Sequence, residues 1–446
     1  MPAGLRARPC GALPADPRAD PVAHPRVSMW TSPPAALLLV ALVLAATLRG
    51  TRASADDWPQ FRGPSGQGSS AETGLPLEWS ESKNVLWKVP VAGRGWSSPV
   101  IVGDRVWLTT AVDGGDISLR LMAFDLETGR EVVNTVVFKR PRSALSNLKN
   151  SWASPTPIVD GDRVYVHFGA EGTAALTTAG TLIWQARFPY QSQHGGGGSP
   201  VLYGDLLIFS CDGNDAAFVV ALDKRTGQVR WKTSRRQPWD QAYTTPLVIR
   251  VGDRDQLLSV GAYRATAYDP ESGREIWRVS YTDGFSNVPR PVFGHGLVYI
   301  STGFQEPSLM AVRADGTGDV TRTHIAWTLQ RAAPHTPSPL LVGDQLYVVS
   351  DVGVATALDA ATGKLRWRQR LEGSYSASPV LADGRIYFLN EDGLTTVIAT
   401  GAEFVKLATS QVDGATLASM AVSHGSLFLR SMTHLYRISE ASRARP

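Results

Sequence analysis

Residues 221–231 read Ala-Leu-Asp-Lys-Arg-Thr-Gly-Gln-Val-Arg-Trp, and the same spacing returns at 123–133 (AFDLETGREVV), 267–277 (AYDPESGREIW) and 357–367 (ALDAATGKLRW). Each copy reads as a strand, a tight turn and a second strand. The Asp carboxylate can accept the amides ahead of it, and the Gly supplies a positive φ that residues with side chains resist. The closing Trp lands on the outgoing strand, where a large flat apolar group can fill the gap between one small sheet and the next. A unit this small cannot bury its own apolar face, so neighbouring copies must do so.

A second marker alternates with the first. Ser98-Pro99 precedes an apolar strand, the Gly103-Asp104 turn and another apolar strand, and related dipeptides stand at Ser154-Pro155, Ser199-Pro200, Thr245-Pro246, Arg290-Pro291, Ser338-Pro339 and Ser378-Pro379. Pro is tolerated at the first residue of a strand, and Gly-Asp suits a two-residue hairpin. Successive Pro positions lie 40 to 56 residues apart. With two hairpins per period, this spacing predicts a propeller of four-stranded blades. An eighth, worn copy covers 419–429 and runs to Ile438 with no Trp strand after it, whereas residues 85–91 (VLWKVPV) are a Trp strand with nothing before it. The expectation is an all-β, eight-bladed β-propeller over 85–438, with the N-terminal strand completing the last blade. Seven blades are the alternative if the final copy is not a true sheet.

The flanks read differently. Residues 1–55 form a leader with an apolar run at 35–48 and a small-x-small site at Ala53-Ser54-Ala55, which predicts an exported protein, periplasmic or secreted, cleaved after Ala55. Met29 is an alternative start, and an uncleaved anchor is the other reading of the apolar run. No Cys follows that run at a lipoprotein position. The leader holds six Arg and two Asp, so it carries the whole formal net charge of +4. A neutral remainder has no electrostatic case for nucleic acid. Cys10 lies in the leader and leaves Cys211 without a partner for a disulfide, as a buried, inert thiol. Residues 56–84 read as an extended lead-in that drapes over the ring with Trp58, Phe61 and Trp79 tucked in, and 439–446 as a tail.

The Ala-x-Asp-x-x-Thr-Gly-x-x-x-Trp pattern, complete at 221–231 and 357–367, with Ser272 for Thr at the third copy and Val133 for Trp at the first, resembles the repeat of the pyrroloquinoline quinone (PQQ)-type propellers. The resemblance covers about 85–438. It implies one of two kinds of protein. One kind comprises quinoprotein alcohol and sugar dehydrogenases, with PQQ over the axis, a Ca²⁺ held by Glu, Asn and Asp, and an Asp base. The other resembles the outer-membrane assembly factor BamB, which binds protein partners and no quinone. The chain lacks the adjacent cysteines and the Cys-x-x-Cys-His haem site of many quinoproteins, and its ring is close to bare repeats. The expectation is therefore a non-catalytic, monomeric binding or assembly scaffold with protein partners in the cell envelope and no cofactor. A small PQQ- and Ca²⁺-dependent dehydrogenase, or a propeller for a carbohydrate, peptide or other small-molecule ligand, are the alternatives.

Candidate residues fall into two sets. Trp87, Trp184, Trp231, Trp277, Trp327 and Trp367 occupy a fixed place in each repeat and are expected to dock one blade on the next. The residues three or four places before each Pro marker should ring one mouth of the central channel: Trp96, Trp152, Tyr243, Asn287, His335 and Tyr375, joined by His194 and by Arg290, which replaces the marker Ser or Thr. These groups either form a ligand or partner site or plug the funnel and satisfy one another. The run from His194 through four glycines reads as a flexible loop. The histidines show no zinc spacing and the Asp-rich turns no calcium-loop pattern, so no metal site is expected.

Overall fold

The computed structural model describes residues 57–143, 149–235, 240–282, 284–304, 306–331 and 333–440. The leader readings (cleavage after Ala55, the Met29 start, Cys10) and the last six residues of the tail fall outside the described residues.

Eight sheets follow one another. Blade 1 runs from Val100–Val102 to Glu131–Arg140, blade 2 from Ile158–Asp160 to Leu182–Ala186, blade 3 from Val201–Tyr203 to Val229–Ser234, and blade 4 from Leu247–Val251 to Glu275–Ser280. Blade 5 runs from Val292–Gly294 to Ile325–Leu329, blade 6 from Leu340–Val342 to Leu365–Arg370, blade 7 from Val380–Ala382 to Lys406–Gln411, and blade 8 from Ala421–Ser423 to His434–Ile438. Blade 8 takes its fourth strand from Val85–Pro90, which pairs antiparallel with His434–Ile438 in the register Trp87↔Arg437 and Val89↔Leu435. The ring is closed by this strand, and its blades are the eight of the longer reading rather than seven.

The repeated motif works across blades as well as within them. Asp223 Oδ1 accepts the amides of Arg225 and Thr226, each at 3.0 Å, and its equivalents Asp125, Asp269 and Asp359 accept the amide three residues on at 2.8, 2.9 and 3.0 Å. The carbonyl just after that Asp is then presented to the preceding blade. Trp87 donates its indole N–H to Leu126 O (2.9 Å), Trp184 to Lys224 O (3.1 Å), Trp231 to Pro270 O (3.0 Å) and Trp327 to Ala360 O (3.0 Å). Gly129, Gly227, Gly273 and Gly363 have positive φ, and a Cβ on any of them would lie 2.4–2.9 Å from the preceding blade's indole. The Gly is thus required twice, by its own backbone and by its neighbour's Trp.

Two indoles deviate for local reasons. Trp367 reaches Gly401 O at 3.4 Å. Trp277 donates to Gln256 Oε1 (2.8 Å), and Gln256 Nε2 passes the bond on to Ala314 O (3.0 Å), the carbonyl at the equivalent place in blade 5.

The lead-in packs far more tightly than a draped segment needs to. Trp58 and Ile101 of blade 1 exchange backbone hydrogen bonds, Pro59 O accepts the Val159 amide of blade 2, and Gly68 O accepts the Leu381 amide of blade 7. Asp383 takes the amides of Gly74 and Leu75 at 3.0 and 3.2 Å, and Glu72 takes those of His424 and Gly425 of blade 8 at 3.1 and 2.8 Å. Trp58 and Trp79 are buried with the blade 1, 7 and 8 core, as expected. Cys211 is buried, and burial pushes its thiol well above the usual range.

Candidate functional site

The inner strands of the blades surround an axial cavity of about 720 Å³. Side chains of an extended strand alternate between faces, so residues two apart share one. One and three places before each marker Pro, the chain therefore supplies two tiers to this wall. The inner tier holds Ser98, Thr156, Ser199, Thr245, Ser338, Ser378 and Ser419, and the next runs through Trp96, Ser154, Gly197, Tyr243, Val288, Thr336, Ser376 and Leu417.

The inner tier is a hydrogen-bonded ring. Five marker amides donate to the hydroxyl of the next blade: Ser98 to Thr156, Thr156 to Ser199, Ser199 to Thr245, Ser338 to Ser378 and Ser378 to Ser419, all at 2.9 Å. Arg290 interrupts it. The Arg290 amide still donates to Ser338 Oγ (3.0 Å), but in place of a hydroxyl it sends a fully buried guanidinium to Pro246 O (3.1 Å) and, across to the lead-in, to Phe61 O (2.7 Å). Phe61 belongs to the cavity wall at that end. Arg62 beside it is also buried and donates to Pro339 O at 2.7 Å. Burial lowers both guanidinium pKa values to about 9, with the Arg290 charge adding to the effect on Arg62. Both stay protonated at neutral pH, held by carbonyl oxygens.

The structure brings Trp96, His194, Tyr243 and His335 together around the cavity. The His194 ring lies 6.1 Å from that of Tyr243, and burial lowers the His194 pKa, which favours the neutral imidazole. The other four expected residues are placed elsewhere. Asn287 and Tyr375 stand four places before their Pro, as His335 does, but unlike His335 they are buried in the blades and do not line the cavity. Asn287 is fully buried and gives its amide N–H groups to Gly261 O (2.7 Å) and Tyr281 OH (3.0 Å). Tyr375 is fully buried in the blade 6–7 core. Arg290 belongs to the lead-in contact.

Trp152 is a register correction. The blade 2 marker is Thr156-Pro157 rather than Ser154-Pro155, since Thr156 carries the ring hydroxyl and Ile158 begins the strand. Ser154 therefore takes the wall position, and Trp152 packs under the Arg140 guanidinium, 3.3 Å from its ring centre. Reading the Pro that abuts the apolar strand would have found this. The four-glycine run has a packing role at its end. A Cβ at Gly197 would lie 2.7 Å from Tyr243 Cβ, and one at Gly198 2.6 Å from Thr244 O, so those glycines permit close packing on the blade 4 lead strand.

Sequence reasoning missed the outer rim. Phe285, Phe304, Asn150, Lys149 and Asp351 also line the cavity. Phe304 meets Phe285 edge-on at 5.7 Å, and Lys149 pairs with Glu391 at 2.7 Å. These come from loops outside the repeat, which carry no periodic signal.

A Ca²⁺ site in a protein takes six to eight oxygens, several of them from carboxylates. Among the described residues, the wall offers Asp351 as its single carboxylate, and Asp351 Oδ2 already accepts the amides of His335 (2.7 Å) and Thr336 (3.4 Å). Among the described residues, no group of three or more His, Cys, Asp or Glu is placed to hold a metal. This donor set does not fit a Ca²⁺-quinone centre of the kind the resemblance implies.

A closed ring of eight four-stranded blades with inter-blade indole docking defines a β-propeller of PQQ-like repeats. The chain belongs to the family described as outer membrane protein assembly factor BamB, whose model matches residues 79–260 and 321–419, more than half of its length. Among solved structures, BamB from Moraxella catarrhalis is similar with a TM-score of 0.58 and 14% identity, covering 81% of this chain and 99% of that one. A europium-containing methanol dehydrogenase is similar with a TM-score of 0.62 and 10% identity, covering 85% and 91%. At these identities the likeness is one of fold. No curated protein matches the sequence.

Proposed function

We propose that this protein is an exported, non-catalytic scaffold of the cell envelope that binds or assembles protein partners as a monomeric propeller. The observation that carries this reading is the state of the axial wall. Its hydroxyls bond to neighbouring blades, its carboxylate is engaged by backbone amides, and of its two imidazoles, those of His194 and His335, the half-buried His194 is favoured in its neutral form. Family membership supports the same reading.

Two measurements test it. Cells lacking the protein should accumulate less outer-membrane β-barrel protein, restored by the wild-type gene; unchanged levels would sink the assembly role. Purified protein titrated with PQQ and Ca²⁺ should show no saturable absorbance change and no dye-coupled oxidation of alcohols or sugars, and turnover would establish the dehydrogenase instead. A second reading, a small-molecule or carbohydrate ligand in the mouth, is favoured by one feature, the rings of Trp96, Tyr243, Phe285 and Phe304 around one cavity. It predicts that Trp96→Ala weakens ligand binding while Arg290→Ala, altered on the lead-in side, does so only through folding.

A further inference from the structure

The outer strand of each blade leaves a row of backbone amides and carbonyls facing outward, where another strand can pair. On blade 4 the chain covers this edge itself. Gly318–Asp319 lies parallel to Glu275–Ser280 with Gly318 opposite Trp277 and Asp319 opposite Arg278. The Asp319 carboxylate lies 3.4 Å from the Arg278 guanidinium, Val320 N donates to Arg278 O at 2.9 Å, and Ser280 N donates to Thr321 Oγ1 at 3.0 Å. On blade 4 a short extended segment with an acid one place after a glycine thus adds a strand and shares with Glu275, at 2.6 Å, the pairing of the basic residue that follows the docking Trp.

That basic residue recurs on three other blades. Lys88 on blade 8 pairs with Glu81 of the lead-in at 2.7 Å, and Lys232 on blade 3 sits 3.8 Å over the Phe218 ring. Arg368 follows Trp367 on blade 6 and is exposed. Its strand pairs inward with Val354–Asp359, and among the described residues no further strand covers its outer side and no carboxylate pairs with Arg368. Alternation places Arg368 and Arg370 on one face of Leu365–Arg370, about 7 Å apart, while the register shift between Ala357 and Leu358 leaves Arg366 out of that alternation. Arg366 is held by Asp359 at 2.6 Å, whereas Arg370, like Arg368, is exposed with no ion pair among the described residues.

We propose that the outer edge of blade 6 docks an extended acidic segment of a protein partner, added parallel as Gly318–Asp319 is on blade 4. A small residue would lie opposite Trp367, an Asp or Glu opposite Arg368, and a second acid two places on, opposite Arg370. Main-chain hydrogen bonds supply the attachment and the two arginines the selection. The inference rests on the scaffold reading for its meaning in the cell, but it concerns a surface that can be tested on the purified protein alone.

The probe is a labelled peptide with the chain's own sequence at 314–324 (ADGTGDVTRTH), together with versions carrying Thr321→Asp or Asp319→Lys. The Thr321→Asp peptide should bind the full chain saturably and more tightly than the parent, and the Asp319→Lys peptide should not bind. Exchange of the Leu365–Arg370 backbone amides should slow in the complex. Arg368→Glu combined with Arg370→Glu should weaken binding at least about fivefold, the scale of two exposed ion pairs, without shifting the melting curve, and should turn the preference toward the Asp319→Lys peptide. No saturation below about 5 mM, binding indifferent to the double substitution, unchanged amide exchange, or stronger binding to anionic lipid vesicles than to the peptide would each overturn the proposal. Those failures would leave the cell-based test of the scaffold untouched, since that test does not depend on which edge is used.

Discussion

The docking indole and the glycine it meets form one energetic unit. Trp231 fills the gap between blades 3 and 4 and donates to Pro270 O, while Gly273 at φ +69° lets the turn close over it. Trp231→Ala should cost about 3 to 5 kcal/mol as a core truncation, read from denaturant unfolding, and an unchanged unfolding curve would refute the docking role. Gly273→Ala should cost more in the wild type than in Trp231→Ala. In the truncated background the 2.4 Å clash with the indole disappears, leaving the backbone term of about 1 to 2 kcal/mol and the 2.7 Å approach to Thr233 Oγ1. Additive costs would show that the two residues do not sense each other.

His167 makes a pH-dependent prediction at the same scale. Burial lowers its pKa from 6.5 to about 3, and its Nδ1 shares a hydrogen bond with Thr173 Oγ1 at 2.8 Å. The unfolded chain takes up this proton first. The stabilising contribution is therefore complete above about 6.5 and is lost as pH falls through that value towards 3. Replacing His167 with Phe, beside Phe209, should flatten the loss of stability between about pH 7 and about pH 4.5. An equal slope in both proteins would remove His167 from the acid response.

At the scale of elements, the segment before the ring is the part that pattern-reading underestimated. Its aromatics could be foreseen as buried, because isolated Trp and Phe in a turn-rich stretch have few other places to go. Its attachment to six blades could not, because the groups that hold it are backbone carbonyls and the side chains of Glu72, Arg62, Arg290 and Asp383, spaced without period. Arg290 reads in sequence as an odd substitution in a hydroxyl series. In three dimensions it anchors Phe61 O to blade 5. Arg290→Ala should remove a buried hydrogen-bonded side chain at a cost of about 2 to 4 kcal/mol and expose 57–84 to protease before the ring is cut. Cleavage at the same rate as in the wild type would show that the lead-in is held without it. The wall of the cavity divides in the same way. Trp96 and Tyr243 were legible from their distance to Pro, Asn287 and Tyr375 turn into the blades although His335 at the same distance reaches the wall, and the rim from Phe285 to Asp351 had no repeat to betray it.

For the whole molecule, closure decides stability. Val85–Pro90 supplies the outer strand of blade 8 and carries Trp87, whose indole docks on blade 1 at Leu126 O. A chain beginning at Val91 would leave one blade short of a strand and one inter-blade seam without its indole. It should lose the single cooperative transition shown by a chain beginning at Asp57 and aggregate through the open edge. Retention of the full transition would mean that the ring does not need this strand.

What the sequence determined by itself was everything repeated: the blade count, the strand-turn-strand unit, the docking tryptophans and the shared last blade. A packing rule used from blade to blade leaves its mark again and again along the chain. What only the tertiary structure decided was everything that happens once: the hydroxyl ring broken at Arg290, the lead-in across the blades, the rim of the cavity and the uncovered edge at Arg368. Those depend on groups brought together from distant parts of the chain, where no local spacing records which carbonyl, ring or carboxylate will be the neighbour.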